Sequence, residues 1–416
     1  MKVYLRTFGC RANHYDTEAV HAMIAGAGHE VVASPAEADA AVFNSCAVTA
    51  AAEAELRHAV RRAGRERPGL RSVVMGCAAS LDDGRPATLA IRGLPTVGAV
   101  VGGADLPAVA LALGLGRARA LGTTRQTSTR ALLRVQDGCD EHCTFCATTL
   151  ARGASRSRAA DAIVSEAAAL AEAHSEIVLT GIHIGAYGAD VGSSLGVLVA
   201  RLVRDVPVVR FRLSSIEATE VDARLAELLA SSPDRLAPHV HAPLQSGSDR
   251  LLRRMGRHWY TSATYFAALE RLAARVGVLG LGADVITGFP GETADDHAAT
   301  VALIERLPFT YLHVFPYSAR PGTPAERLPA AVPAAIATRR AGELRAIAAR
   351  KAAAYAQARA GGLADVIVVG GAERRDGMTG DYLSVLPADP AMPRGHRFTA
   401  RLALDNDRLV ARPAVQ

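Results

Sequence analysis

The chain has 416 residues, half of them hydrophobic, enough to bury the cores of two or three domains. Lys and Arg number 47 against 41 Asp and Glu, a formal charge of +6 with a pI near 9.2, which permits an anionic partner without requiring one. The most apolar run, Leu106 to Gly116, is far shorter than the roughly 20 residues that cross a bilayer, and Met1 to Cys10 lacks the apolar core of a secretion signal. A cytoplasmic protein without a membrane partner is expected, and its six cysteines then point to metal or redox chemistry rather than to disulfides.

From Met1 to about Gly116, strand-like runs at Lys2–Thr7, Ala41–Asn44 and Ser72–Met75 alternate with helical ones at Thr17–Gly26 and Ala50–Arg65. Residues 1–116 are therefore expected to form an α/β domain of three layers. Cys10, Cys46 and Cys77 each follow a strand-like run by two or three residues, on loops at the end of a parallel sheet where such folds place ligands. Residues 117–130, polar and basic with Gly, Thr and Ser, read as a linker.

Over residues 131–360 six strand-like runs follow, Leu132–Gln136, Ile177–Thr180, Val209–Ser214, His239–Ala242, Gly282–Thr287 and Tyr311–Tyr317. Segments with helical spacing separate them, Ala159–His174, Leu195–Val203, Asp222–Leu229, Tyr265–Val276 and Ala294–Leu307, and Pro333–Arg359 closes the series. Six βα units predict a partial (β/α)6 barrel with its site at the C-terminal strand ends. Residues 361–416 carry runs at Asp365–Gly370, Tyr382–Leu386, Arg397–Leu404 and Arg408–Ala411 and predict a small antiparallel β domain.

Chemistry concentrates after the first barrel strand, in Cys139-Asp-Glu-His-Cys143-Thr-Phe-Cys146. Three thiolates on one tight loop can hold three irons of a 4Fe-4S cube and leave the fourth without a protein ligand. A zinc site is the alternative; it usually takes four ligands, and His142, inside the loop, reads as exposed rather than as the fourth. Cys10, Cys46 and Cys77 lack short spacing, so from spacing alone they are either buried free thiols or a second cluster site brought together by the fold. Arginines cluster at Arg57, Arg61, Arg62, Arg65 and Arg67, at Arg152, Arg156 and Arg158, and at Arg339, Arg340, Arg345, Arg350 and Lys351. Each group alone reads as a solvated helix face.

Motifs along nearly the whole chain resemble those of the methylthiotransferase family of radical S-adenosylmethionine (SAM) enzymes. Thr7-Phe-Gly-Cys10-Arg-Ala-Asn13-His-Tyr-Asp16-Thr-Glu18, Asn44-Ser-Cys46-Ala-Val-Thr49 and Met75-Gly-Cys77 look like its first three cluster-binding segments. Gln136-Asp-Gly-Cys139, the Cys143/Cys146 pair, Ala151-Arg152-Gly153, Leu213-Ser-Ser-Ile-Glu217, Pro243-Leu-Gln-Ser-Gly-Ser-Asp249, Asp284-Val-Ile-Thr-Gly-Phe-Pro-Gly-Glu292 and Phe315-Pro-Tyr-Ser-Ala-Arg-Pro-Gly322 follow in family order. After Cys146 the family usually continues with Ile and Pro, whereas this chain has Ala147-Thr148-Thr149-Leu150. Gly377-Met-Thr-Gly-Asp-Tyr382 matches the family's RNA-binding TRAM domain only loosely.

The resemblance implies two 4Fe-4S clusters, one on Cys139, Cys143 and Cys146 that binds SAM, the other on Cys10, Cys46 and Cys77, associated with the sulfur to be methylated and transferred. Thr180, Gly181, Ser214, Glu217, Gln245 and Gly288, at strand ends, are the expected SAM contacts, each also readable as a helix cap or turn. His183 and Tyr187 are candidates to face the nucleoside, although Tyr187 before Gly188 also fits loop packing, as does Trp259. Asn44–Thr49, Leu179-Thr-Gly-Ile-His183-Ile-Gly-Ala-Tyr187-Gly188 and His313-Val-Phe-Pro-Tyr317 resemble the branch that methylthiolates C2 of N6-threonylcarbamoyladenosine next to the anticodon of tRNA. The family's other substrates, isopentenyladenosine in tRNA and a ribosomal-protein aspartate, are the alternatives; a non-catalytic iron–sulfur RNA-binding or electron-transfer protein is the non-enzyme one. Partners implied are tRNA and an electron donor such as a flavodoxin or ferredoxin, with the enzyme a monomer.

Overall fold

A computed structural model describes residues 1–47, 50–82, 90–116, 125–370, 375–406 and 408–414. Val48 and Thr49 of the second cysteine motif and residues 117–124 of the expected linker lie outside the described residues. The chain divides into two compact units that interleave along the sequence. The first is Met1–Thr127, Gln136–Arg156 and Ser318–Glu326; the second is Ser128–Val135, Ser157–Tyr317 and Arg327–Gln416.

In the first unit the elements are β1 (Lys2–Thr7), α1 (Arg11–Gly26), β2 (Glu30–Val32), β3 (Ala40–Ser45), α2 (Ala50–Glu66), β4 (Arg71–Gly76), α3 (Cys77–Ser80), β5 (Val97–Gly102) and α4 (Leu106–Leu113). The strands form one parallel sheet in the order β2-β1-β3-β4-β5. β3 is buried at all six positions, as a central strand covered on both faces must be. Val20, Met23 and Ile24 of α1 and Val109 and Leu113 of α4 pack on one face, and Leu56, Ala59, Val60 and Ala63 of α2 on the other, giving the expected three layers. Because the chain leaves β1 for β2 on one side and then crosses to β3 on the other, the order reverses between β1 and β3. A crevice beyond the carboxyl ends of those strands is the place such sheets offer to a ligand. The sequence pattern did not mark β2, β5 or α4: β2 has only three residues, and the Leu106–Gly116 run carries too few polar residues to show a helical period.

Further along run β6 (Ala131–Arg134), β7 (Gln136–Asp137), α5 (Thr148–Arg152), β8 (Arg156–Ser157), α6 (Ala160–Ala171), β9 (Glu176–Thr180), α7 (Leu195–Asp205), β10 (Arg210–Leu213), α8 (Ala223–Ser231), β11 (His239–His241), α9 (Asp249–Arg254), α10 (Ser262–Val276), β12 (Gly280–Thr287), α11 (Ala294–Arg306), β13 (Tyr311–Pro316) and α12 (Ala334–Arg359). β7 and α5 belong to the first unit. In the second, β6, β9 and β10 make one parallel sheet and β11, β12 and β13 another. A bridge between Ser215 and His241 joins them, with Ile216 N donating to His241 O at 3.0 Å. The six strands therefore stand in chain order with helices outside, the expected partial (β/α)6 barrel, and Leu133, Leu179, Phe211, Val240, Leu281 and Val285 face the helices.

The second unit ends in β14 (Leu363–Gly370), β15 (Arg375–Thr379), β16 (Ser384–Pro387), β17 (Arg397–Asp405) and β18 (Arg408–Pro413), which close into a small barrel. Its pairings are antiparallel except β16 with β18, a local exception to the antiparallel expectation. A side chain at Gly280 would meet Asp381 O at 2.1 Å, and the Tyr382 ring stacks on His239 with centroids 4.3 Å apart. Gly377–Tyr382, which carries the loose TRAM resemblance, thus packs against the six-stranded barrel within this unit.

That junction holds a buried charge cluster. Glu176 on β9 accepts from Arg210 Nε at 2.6 Å and from Arg212 Nε at 2.9 Å, both on β10. Arg210 also donates to Asp365 O, and Arg212 to Thr379 O and Gly380 O, each at 2.9 Å. Burial alone would raise the Glu176 carboxyl, but Arg210 and Arg212 outweigh it and hold the group well below the usual range.

Candidate functional site

All six cysteines lie in the first unit, and none is in a disulfide. Cys10 caps the start of α1, Cys46 follows β3, and Cys77 opens α3 directly after β4, so three successive strand ends deliver them. Asn13 ties the group together. Its Oδ1 accepts from Cys10 Sγ at 3.4 Å and lies 4.0 Å from Cys77 Sγ, while its Nδ2 donates to Asn44 Oδ1 at 3.0 Å and Ser45 O at 2.6 Å. Asn44 Nδ2 returns a bond to Asn13 O at 2.7 Å. Gly9, with φ +105°, leans so closely on Cys46 that a Cβ would sit 2.4 Å from that residue's Cβ. Burial pushes the Cys77 thiol up to about 11, Arg152 opposes this, and the sulfurs of Cys10 and Cys46 add to the rise, so the three thiols lie within electrostatic reach of one another.

The Cys139–Cys146 loop is held at both ends. Gln136 Nε2 donates to Gly138 O at 2.7 Å and Ser155 Oγ at 2.9 Å, and Cys139 N donates to Gly153 O at 3.0 Å. Gly138 has φ +75°, and a Cβ there would lie 1.9 Å from Ala154 O. Cys139, Cys143 and Cys146 are partly exposed and His142 is exposed, as the sequence suggested. In the Ala147–Leu150 stretch, where this chain departs from the family pattern, Thr148 places its backbone N 3.4 Å and its Oγ1 3.0 Å from Cys146 Sγ.

Arg152, at the end of α5 and six residues after Cys146, ties its segment to the first set of thiols. Its Nε donates to Cys77 Sγ at 3.2 Å, Nη2 to Asp16 Oδ2 at 2.8 Å and Asn13 Oδ1 at 3.3 Å, and Nη1 to Asp137 Oδ1 at 3.3 Å. Burial works against its charge, but Asp16, Cys77 and Asp137 outweigh it and raise its affinity for the proton. Arg152, grouped by sequence with surface arginines, is therefore an interior residue, as is Arg340, whose Nη1 donates to Glu292 Oε2 at 2.7 Å. Arg61, Arg62, Arg65 and Arg67 are exposed.

Each three-thiol set suits a 4Fe-4S cluster by its donor chemistry: soft sulfurs gathered by convergent loops, with three cysteines rather than four in each.

In the second unit Thr180 ends β9 and Ser214 follows β10, donating from its N to Leu179 O at 3.0 Å. Gly181 and Gly288 follow β9 and β12; Gly288 N donates to Glu292 Oε2 at 2.6 Å, and a Cβ there would lie 2.4 Å from that of Ala337. Gln245 is buried with φ +62°, a backbone strain of about 1–3 kcal/mol for a non-glycine residue. Both Glu217 oxygens accept from Arg257 Nη2 at 2.6 Å, although burial still raises that carboxyl. His183 pairs with Glu220 at 2.7 Å. Tyr187 is buried in the core and donates to Arg158 O at 3.2 Å, which settles the choice in favour of packing; Trp259 packs under Arg257.

Residues 2–92 match the family model described as uncharacterized protein family UPF0004, and residues 133–304 match the Radical SAM superfamily. The threonylcarbamoyladenosine tRNA methylthiotransferase MtaB of Bacillus subtilis (strain 168) is 37% identical over 352 residues, 78% of this chain and 75% of that one. The MtaB of Aquifex aeolicus (strain VF5) is 35% identical over 80% of this chain and 84% of its own. The chain belongs to the radical SAM methylthiotransferase family. A tRNA-2-methylthio-N(6)-dimethylallyladenosine synthase from Sorangium cellulosum (strain So ce56) is 35% identical over 88% of this methylthiotransferase and 81% of its own length. Among solved structures, the radical SAM methyltransferase TsrM of Kitasatospora setae, bound to tryptophan and a SAM analogue, shares the fold with a TM-score of 0.58 and 16% identity, covering 78% of this chain and 75% of that one. No helix among the described residues is long and apolar enough to cross a membrane.

The sequence reading missed Arg152 as a buried partner of Cys77, and the Glu176–Arg210–Arg212 cluster. For the second a signal was present: Arg210 and Arg212 alternate with Val209, Phe211 and Leu213, so a strand whose apolar face meets helices turns both arginines into the barrel interior.

Proposed function

We propose that this methylthiotransferase modifies C2 of N6-threonylcarbamoyladenosine next to the anticodon of tRNA, using SAM and two 4Fe-4S clusters. The presence of two three-thiol sets in one compact unit, with Arg152 of the segment after the cysteine loop bonded to Cys77 and Asp16, supports this reading. The substrate follows the curated relatives named for threonylcarbamoyladenosine tRNA, 33–37% identical over 78–80% of the chain. Cys139, Cys143 and Cys146 would hold the SAM-binding cluster, and Cys10, Cys46 and Cys77 the second. When bound and reduced, the first cluster with SAM supplies a 5′-deoxyadenosyl radical.

The chain's own residues hold these groups in place. Gln136 and Gly138 fix the first loop, Asn13 and Asn44 fix the second set, and Arg152 keeps positive charge beside Cys77, where a thiolate ligand needs it. Thr180, Gly181, Ser214, Glu217, Gln245 and Gly288 form the strand-end rim proposed for SAM, Glu217 acting through Arg257. In this scheme residues 1–116 carry the second cluster, 131–360 the radical SAM barrel and 361–416 a TRAM-like domain. tRNA is the substrate, a flavodoxin or ferredoxin the electron donor, and the enzyme a cytoplasmic monomer.

The test is nucleoside mass spectrometry of tRNA bearing threonylcarbamoyladenosine or isopentenyladenosine, incubated with reconstituted, reduced enzyme and SAM. A methylthio derivative of the first nucleoside alone, absent with Cys143→Ala, is the expected result. Modification of the isopentenyl nucleoside instead overturns the substrate, and absence of 5′-deoxyadenosine overturns the radical role of the thiol loop.

A further inference from the structure

The barrel of the second unit carries a donor set that the methylthiotransferase reading does not use. β11, β12 and β13 are neighbours in parallel register, which pairs His241 with Gly282 and Asp284 with His313. Val240, Leu281, Ala283, Val285 and Val314 face the helices. The period of two along a strand therefore turns His241, Asp284 and His313 to the opposite, inner face of the barrel.

There the three side chains converge, with one ligand atom from each lying within 4.8 Å of the others. His241 Nε2 is 3.1 Å and His313 Nδ1 3.2 Å from the same oxygen, Asp284 Oδ1. Tetrahedral bonds of about 2.0–2.2 Å to nitrogen and oxygen set neighbouring ligand atoms about 3.3 Å apart, so both separations suit ligands of one cation. His241 is oriented from behind: its Nδ1 lies 3.0 Å from Tyr311 Oη, which lies 2.8 Å from His239 Nε2. With Nδ1–H donating to Tyr311, and the Tyr311 hydroxyl donating to His239, the Nε2 lone pair of His241 is left for a metal, the outer-shell arrangement that ligating histidines use. The His313 side chain is 53% exposed, which leaves a path for an ion to enter.

We propose that His241, Asp284 and His313 form a binding site for a divalent cation of the zinc class inside the barrel. Two imidazoles and one carboxylate suit zinc and its borderline neighbours rather than calcium or magnesium, and three protein ligands leave a coordination position for water or an oxygen donor.

The test uses the full chain with its cysteines already loaded with iron and sulfide, so that thiols do not compete for added zinc. After incubation with Zn2+ and gel filtration, about one zinc per chain should remain, and zinc-edge X-ray absorption should show nitrogen and oxygen neighbours at about 2.0–2.1 Å. His313→Gln, at a half-exposed position and still able to hydrogen-bond Asp284, should lose at least tenfold of that zinc while keeping its iron content and unfolding temperature. Asp284→Asn should lose it as well. Zinc below a tenth of an equivalent in the parent, a sulfur shell near 2.3 Å, or zinc retained by His313→Gln would overturn the site and leave a hydrogen-bonded His–Asp–His network.

Discussion

The two units each bury a charge, and they do so with opposite signs. In the first a single cation, Arg152, sits among Asp16, Asp137 and a thiol; in the second Glu176 sits among Arg210, Arg212 and Arg130, with Asp365 as a second, half-buried carboxylate on Arg210. The Glu176 cluster is made of permanent charges and backbone carbonyls and is complete as the chain folds. The Arg152 cluster includes Cys77, whose thiol burial pushes up to about 11, so in the proposed scheme its balance of charge would change as that sulfur became a thiolate ligand. In that scheme one centre is indifferent to the cofactor state, and the other responds to it.

The largest effect expected is at Glu176. Glu176→Gln takes the carboxylate from buried Arg212 and leaves buried Arg210 with Asp365 alone, and should destabilise the second unit by about 3–5 kcal/mol in urea unfolding, with iron content unchanged. Its folded carboxyl lies below the unfolded reference of 4.5, so its contribution is fully present above that value and is lost as pH falls through the folded one. The gap between parent and variant should stay flat from neutral pH to about pH 5 and narrow below it.

Arg152→Met should cost about 3 kcal/mol by removing the guanidinium that pairs with buried Asp16, and, unlike the first variant, should lower the iron retained after anaerobic desalting. Equal iron in the two variants would break the distinction. Gly9→Ala, which forces a Cβ against Cys46 at a positive φ, should cost about 1–3 kcal/mol and reduce the charge-transfer absorbance of the reconstituted protein. Thr148→Val sharpens the comparison from the other side of Arg152. It removes a hydroxyl 3.0 Å from Cys146 Sγ while leaving the backbone N in place. The midpoint potential of the cluster on that loop, followed by redox-poised electron paramagnetic resonance, should become more negative by the order of tens of millivolts.

Much of this was legible in the sequence because local pattern and tertiary role agree. All six barrel strands, Lys2–Thr7 and the cysteine loop declare themselves by apolar runs, strand spacing and ligand chemistry, and the structure has strands within a residue or two of the runs. What stayed hidden is what depends on distant partners. Tyr187, which in sequence fits either a nucleoside contact or loop packing, and Arg340, which reads as a surface charge, both lie in the interior, bonded to Arg158 and Glu292, 29 and 48 residues away. His241, Asp284 and His313 sit in three different strands, 29 to 72 residues apart, and only the register brings them side by side.

The interleaving of the units has a consequence for synthesis. The first unit takes its last segment, Ser318–Glu326, from far along the chain; there Arg320 pairs with Glu53 and Ala325 N donates to Thr144 O at 2.8 Å, beside the cysteine loop. On a ribosome that segment emerges only after most of the barrel has been translated. Contacts of such long range form slowly, because the loop they close is long. The nascent chain must therefore carry all six thiols while the 180 residues from Ala147 to Glu326 are added and before the scaffold around them is complete, which makes cluster assembly a late event and oxidation of the half-built unit its natural hazard.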